Sequence, residues 1–182
     1  MWTEEAIARA LAVMVFDRRA LVMVPNCKWT GDECDLLVVR NDLRLVDVEV
    51  KISRADLKAD AGKDKWIDTS AYTDAGHWIP PALRKVERRS HPRKIWKHYY
   101  ALPEAIWKDG LEECIPPTSG VLFMRLRPDG SVGIHVKRQA KPSKNADKIG
   151  LEEVMDIARV LTVRYWARYD RTRALPLQGS EK

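Results

Sequence analysis

The chain has 182 residues, 45% hydrophobic and 32% charged, which fits one globular domain with its own core and excludes a disordered or fibrous chain. Its 32 Lys and Arg against 26 Asp and Glu give a net charge of +6, a balance that favours a polyanionic partner. Three scattered cysteines, Cys27, Cys34 and Cys114, form neither a disulfide framework nor a metal knuckle, so free thiols in a reducing cytoplasm are expected. The opening "MWTEEAIARALAVMVFDRRA" puts acids before its apolar run, unlike a secretory signal. No apolar run approaches the ~20 residues a membrane-spanning helix needs, so no membrane association is expected.

In chain order, Thr3 is placed to cap a helix starting at Glu4–Glu5, with Ile7, Ala8, Leu11, Met14 and Val15 on one face. "ALVMVP", "CDLLVVR" and "LRLVDVEVKI" read as three successive strands. Ser53 is placed to cap a helix through "RADLKAD". Residues 61–97, with Gly76, Pro80, Pro81, Pro92 and many charges, read as a basic, partly helical insertion or lid. "KHYYALP" is a fourth strand, and "EAIWKDGLEECI" a short helix or turn. "GVLFMRLRPDGSVGIHVKRQ" is a hairpin turning at Pro128-Asp129-Gly130. A last helix, from about Gly150 to Tyr169, carries the stripe Leu151, Val154, Met155, Ala158, Leu161 and Tyr165, and the tail 171–182 is loose. The order describes a single α/β domain over 1–170, with helices on the faces of a sheet.

The stretch "VDVEVK" carries the chemistry. Alternation sends Val46, Val48, Val50 and Ile52 to one face and Leu43, Leu45, Asp47, Glu49 and Lys51 to the other. A solvated sheet edge is the plain explanation of a lone E-x-K. The preceding strand argues otherwise, because it begins at Asp35. If the hairpin pivots on Asp42, Val39 lies opposite Leu45, Leu37 opposite Asp47, and Asp35 opposite Glu49. Paired side chains in antiparallel strands have Cβ atoms roughly 4.5–5.5 Å apart. Two carboxylates so placed repel unless a cation lies between them, and such oxygen ligands suit Mg²⁺. A two-residue loop, Asn41-Asp42, would instead set Asp35 against Val48 and scatter the acids over both faces. The site therefore requires an odd loop and a shared face for Asp35 and Glu49. Lys51, two residues beyond Glu49, would stand beside the metal and stabilise a phosphate transition state.

Asp35 followed by Glu49-Val50-Lys51 resembles the PD-(D/E)xK nuclease superfamily. The added matches Ser53, Arg54, Asp56, Lys65 and Trp66, with "HYYALPE" and "SGVLFMRL", resemble its MmcB-like DNA-repair nucleases and related phage proteins. The resemblance covers Cys34–Trp66 and Lys97–Arg125. Cys34 stands where the superfamily name has proline, and residues 67–96 have no counterpart.

The resemblance implies a restriction-endonuclease-like core of helix, three-strand meander, helix and strand, with an added hairpin and C-terminal helix. It also implies a Mg²⁺- or Mn²⁺-dependent endonuclease acting on DNA in repair, recombination or phage DNA processing. Asp35, Glu49, the Val50 carbonyl and a first-helix glutamate, Glu4, would hold the metal; Lys51 would complete the catalytic set. The plainer reading of Glu4 is an ordinary first-turn acid.

DNA contacts are expected from Arg54, Lys58, Lys63 and Lys65, just after the catalytic strand, and from Arg84, Lys85, Arg88, Arg89, Arg93 and Lys94 in "RKVERRSHPRKIWK". "KRQAKPSKNADK" is a second basic loop. Trp29, Trp66, Trp78 and Trp96 suit base stacking or, more commonly, packing. The four histidines show no metal spacing and read as structural or surface residues. Two other functions fit the same residues: a DNA-binding module without turnover, and a phage accessory protein whose basic surface holds an acidic partner. The oligomeric state, a homodimer included, stays open.

Overall fold

The computed structural model describes residues 2–68, 77–83 and 87–172. The expected DNA contacts Arg84 and Lys85 lie outside these residues, as does the tail beyond Thr172.

Helix α1 (Glu4–Leu11) starts where Thr3 Oγ1 accepts the Ala6 N–H at 3.1 Å, and acids fill its first turn. Its next five residues, Ala12–Phe16, wind as a π-helical turn. That extra residue per turn carries Phe16 into the core and leaves Met14, expected on the buried face, half-exposed. Strands β1 (Ala20–Cys27), β2 (Cys34–Arg40) and β3 (Leu45–Val50) follow as an antiparallel meander. Ser53 Oγ accepts the Asp56 N–H at 3.2 Å and caps α2 (Arg54–Asp60).

Within the 61–97 insertion the described residues include a short ribbon, β4 (Ile67–Asp68) paired with β5 (Glu87–Arg88). The chain then returns as β6 (Lys97–Pro103), and 3₁₀ turns at Glu104–Ile106 and Leu111–Cys114 lead to β7 (Gly120–Leu126). Gly120 is required by close approach: a Cβ there would sit 2.3 Å from the Tyr99 ring. β7 pairs with β8 (Val132–Arg138) through the expected turn, with Gly130 at φ +79°. The hairpin is not an appendage: the main sheet has six strands in the order β1-β2-β3-β6-β7-β8, with β6 parallel to both β3 and β7.

One face of the sheet is apolar. Leu36, Val38, Val46, Val48, Val50, Ala101, Leu122 and Met124 pack there against Ile7, Leu11 and Phe16 of the α1 segment. On the other face, α3 (Leu151–Thr172) covers Val24, Leu37, Val39 and Leu45 through Ile157. Its buried side is Ile157 with Val154, Val160 and Leu161, so Val154 and Leu161 of the expected stripe pack there, while Leu151, Met155 and Tyr165 are exposed. Farther along the same face, Leu57 of α2 and Trp66 pack on Tyr100, Leu102, Val121 and Phe123. Between these two clusters lies a band of buried charge.

Candidate metal centre

The β2–β3 loop decides the register. Leu43 N–H donates to Arg40 O at 2.9 Å, Arg40 N–H to Arg44 O at 3.0 Å, and Leu43 itself is left-handed at φ +64°. A three-residue loop ending in a left-handed residue adds one residue to the hairpin. The pairs are therefore Val39 with Leu45, Val38 with Val46, Leu37 with Asp47 and Leu36 with Val48. One step farther, this register sets Asp35 against Glu49.

The side chains then diverge. Asn26 in β1 has φ +50°, and nearby β2 breaks its alternation, since Cys34 joins Leu37 and Val39 in the α3-side cluster. Asp35 Oδ2 accepts the Val50 N–H at 2.7 Å, closing the ladder where β2 leaves β3. With Glu4, Asp35 lines a cavity of about 600 Å³ beside α1. Burial and the Glu49 charge push the Asp35 carboxyl up to about 6. Glu49, by contrast, faces α2 and is 2% exposed. The shared face expected for the two acids is thus not formed, although they remain close enough to repel.

Glu49 is the centre of an ion network. Its Oε2 lies 2.8 Å from Lys51 Nζ and its Oε1 2.8 Å from Lys65 Nζ. Lys51 also reaches Asp60 at 3.1 Å, and Asp60 meets Lys63 at 2.8 Å and Lys65 at 3.3 Å. Tyr100 Oη and Trp66 Nε1 donate to Asp60 Oδ2 at 2.5 and 3.4 Å. Burial alone would favour neutral lysines. Glu49 and Asp60 reverse this for Lys51, and Asp47, Glu49 and Asp60 do so for Lys65, so both are held above the usual lysine range. Burial likewise opposes the Asp60 charge, yet Lys65, Lys63, Tyr100 and Lys51 hold it well below the carboxylate range. Lys51 is thus a fixed cation rather than a proton acceptor.

Asp47 sits outside these pairings. Across the parallel β3–β6 ladder it faces His98, as Glu49 faces Tyr100. Asp47 Oδ2 and His98 Nε2 are 3.6 Å apart, and Asp47 Oδ1 and His98 Nε2 are both buried without a hydrogen bond. Burial and the neighbouring Glu49 push the Asp47 carboxyl well up; burial and Lys65 push His98 well down. One oxygen each from Asp47 and Glu49 and a ring nitrogen of His98 lie within 4.8 Å of one another, a buried group able to hold a metal ion. Sequence reading missed His98. Its relation to Asp47 exists only through a parallel pairing of strands about 50 residues apart, and no local spacing signals that.

The expected DNA contacts separate. Lys58, Lys63, Arg88, Arg93 and Lys94 are exposed, and Arg89 is half-buried. Arg54 is half-buried and donates to Ile106 O at 2.6 Å, while Lys65, expected at the surface, is buried in the ion network. The two basic segments meet: His91 Nε2 lies 2.8 Å from Lys141 O, and Ser143 N–H donates to Trp96 O at 2.7 Å. Together they line a groove containing Arg88, Arg93, Lys94 and Asn145. Trp66 is a core residue, whereas Trp96 is stacked by Arg40, Arg44 and Lys97.

The fold places the chain among mixed α/β proteins. A solved protein of unknown function from Silicibacter pomeroyi is similar to it, with a TM-score of 0.55 and 16% identity over 100% of this chain and 99% of the other. At that identity the likeness concerns the fold alone. No protein-family profile and no curated protein matches the chain. Among the described residues no helix is long and apolar enough to cross a membrane.

Proposed function

We propose that this protein is a Mg²⁺- or Mn²⁺-dependent deoxyribonuclease of restriction-endonuclease-like fold, acting in repair, recombination or phage DNA processing. The observation that carries the reading is the odd β2–β3 hairpin, which brings Asp35 alongside Glu49-Val50-Lys51. The raised Asp35 carboxyl fits a divalent ion there, since a cation would relieve its repulsion by Glu49. Asp35 and the Val50 carbonyl, with Glu4 across the same cavity as Asp35, would hold it, and Glu49 would join them only by turning from its pairs with Lys51 and Lys65. When bound, the ion would lower the pKa of a water and offset charge on the phosphate. Lys51, kept protonated by Glu49 and Asp60, supplies a second fixed positive charge. The exposed Arg88, Arg93 and Lys94 give a basic surface for the backbone phosphates of DNA.

The test is incubation with linear, circular and branched DNA in Mg²⁺ or Mn²⁺, for the wild type, Glu49→Gln and Lys51→Met, with unfolding curves for each. Cleavage that needs metal and disappears in both folded variants supports the enzyme. The second reading, a DNA-binding module without turnover, is favoured by the burial of Glu49 and Lys51, each 2% exposed and ion-paired to the other. DNA retention at low salt with no cut strand in either metal selects it.

A further inference from the structure

Charge and hydrogen bonding in the buried band do not balance around Asp47. Three buried carboxylates, Asp47, Glu49 and Asp60, face two buried ammonium groups, Lys51 and Lys65. Lys63 supplements Asp60 from the surface. Among the described residues no lysine or arginine comes within ion-pair range of Asp47; its only such partner is His98. Lys65 and the Cys34 thiol offset part of the Asp47 charge, but its Oδ1 has no hydrogen-bond partner, and a buried polar atom left so is strongly disfavoured. A proton on Asp47 would remove the charge but, at 3.6 Å, would not close a hydrogen bond to His98.

The imidazole is already oriented. His98 Nδ1 lies 2.9 Å from the buried Ser119 Oγ, and Trp66 and Tyr100 pack edge-on against the ring. With Nδ1–H donating to Ser119, the Nε2 lone pair is directed at Asp47. Metal-binding histidines are commonly fixed in this way, the second ring nitrogen being hydrogen-bonded behind the ligand. Glu49 Oε1 joins the group. Lys65 Nζ is 2.8 Å from it, but neither atom completes a well-aligned hydrogen bond. Lys65 is a charge in the right place with poor hydrogen-bond geometry.

We propose that Asp47, Glu49 and His98 bind a first-row transition-metal dication of the Zn²⁺ or Mn²⁺ class, and that Lys65 is the cation that neutralises Glu49 when the metal is absent. The donor set supports that choice of ion. One imidazole nitrogen with two carboxylates suits Zn²⁺ or Mn²⁺, whereas Mg²⁺ prefers oxygen ligands throughout. Three protein ligands also leave a coordination position free. The site uses atoms of Asp47 and His98 that have no part in the nuclease reading. It shares Glu49 with that reading but does not depend on DNA cleavage.

Equilibrium dialysis against Zn²⁺ tests the proposal, with circular dichroism to verify folding. The wild type is expected to bind one Zn²⁺ per chain, undisturbed by excess Mg²⁺. Asp47→Asn and His98→Asn are expected to weaken binding at least about tenfold. In His98→Asn the amide can still reach Ser119 while the Nε2 ligand is gone. Lys65→Met removes the competing cation and is expected to tighten binding about tenfold, a gain that misfolding cannot imitate. Asp35→Asn is expected to leave Zn²⁺ binding unchanged. Absence of binding in both the wild type and Lys65→Met overturns the proposal, as does undiminished binding in His98→Asn or displacement of Zn²⁺ by Mg²⁺. An unchanged affinity in Lys65→Met overturns the role given to Lys65. A protein that binds Zn²⁺ in this pattern but cuts no DNA sinks the nuclease reading and leaves this site standing; Zn²⁺ binding lost in Asp35→Asn moves the ion to the nuclease set.

Discussion

The two faces of β3 show two ways of burying a strand. Val46, Val48 and Val50 lie on the α1 side, where each contact is non-directional and neighbours share the work. Leu45, Asp47, Glu49 and Lys51 lie on the other side, and after Leu45 the face is charge, equally buried. On the apolar face a lost side chain removes transfer and packing energy in proportion to its size. On the charged face a lost partner leaves another ion stranded in a low-dielectric interior. The polar face is therefore the more fragile.

The largest effect that would sharpen this contrast is at Asp60. Asp60→Asn removes the anion that Lys51 and Lys65 share with Glu49 and is expected to cost about 3–5 kcal/mol in urea unfolding. Adding Lys65→Met should return part of that loss, because the stranded charge goes with it; strictly additive costs would break the account of a coupled band. On the apolar face Leu36→Ala is expected to cost about 3 kcal/mol, additive with Asp60→Asn because the two share no partner.

Asp35, at the junction of the two regimes, gives a smaller, pH-dependent effect. Its folded carboxyl is raised from the ordinary aspartate range to about 6. Its contribution to stability is therefore full below about pH 4 and lost as pH rises through 6. In chelator, Asp35→Asn should match the wild type near pH 4 and exceed it at pH 7 by about 1–2 kcal/mol, after discount for the partly buried position. A thermal-melt difference that does not vary with pH would contradict this. The smallest effect is at the cap of α2, the helix that carries Asp60 to the band: Ser53→Ala should cost about 1 kcal/mol by urea unfolding, without changing the midpoint of any metal titration.

How much of this was legible in the sequence differs element by element. Thr3 and Ser53 were readable as caps because a cap is a local hydrogen bond. The alternation of "VDVEVK" was readable because strand period is local too. The pivot on Asp42 could be posed but not decided, since it depends on Leu43 accepting a left-handed conformation that its sequence does not advertise. Only part of the stripe read in the last helix packs, Val154 and Leu161, because the docking of Ile157 on β1 and β2 fixes which side is covered. Lys65 read as a surface cation, since nothing in "GKDKW" announces two buried acids waiting for it.

Asp47 is the clearest case. In its antiparallel register the residue opposite it is Leu37, which offers it neither charge nor hydrogen bond. Its other neighbour, His98, arrives through a parallel pairing and converts it into one wall of a metal-binding group. The sequence by itself determined which residues carry charge on an otherwise apolar strand, since side-chain alternation is a property of consecutive residues. Only the tertiary structure decided which charges meet. Register, the loop conformation at Leu43 and the β3–β6 pairing are set by packing over the whole sheet, and a change of one residue in any of them would hand every acid a different partner.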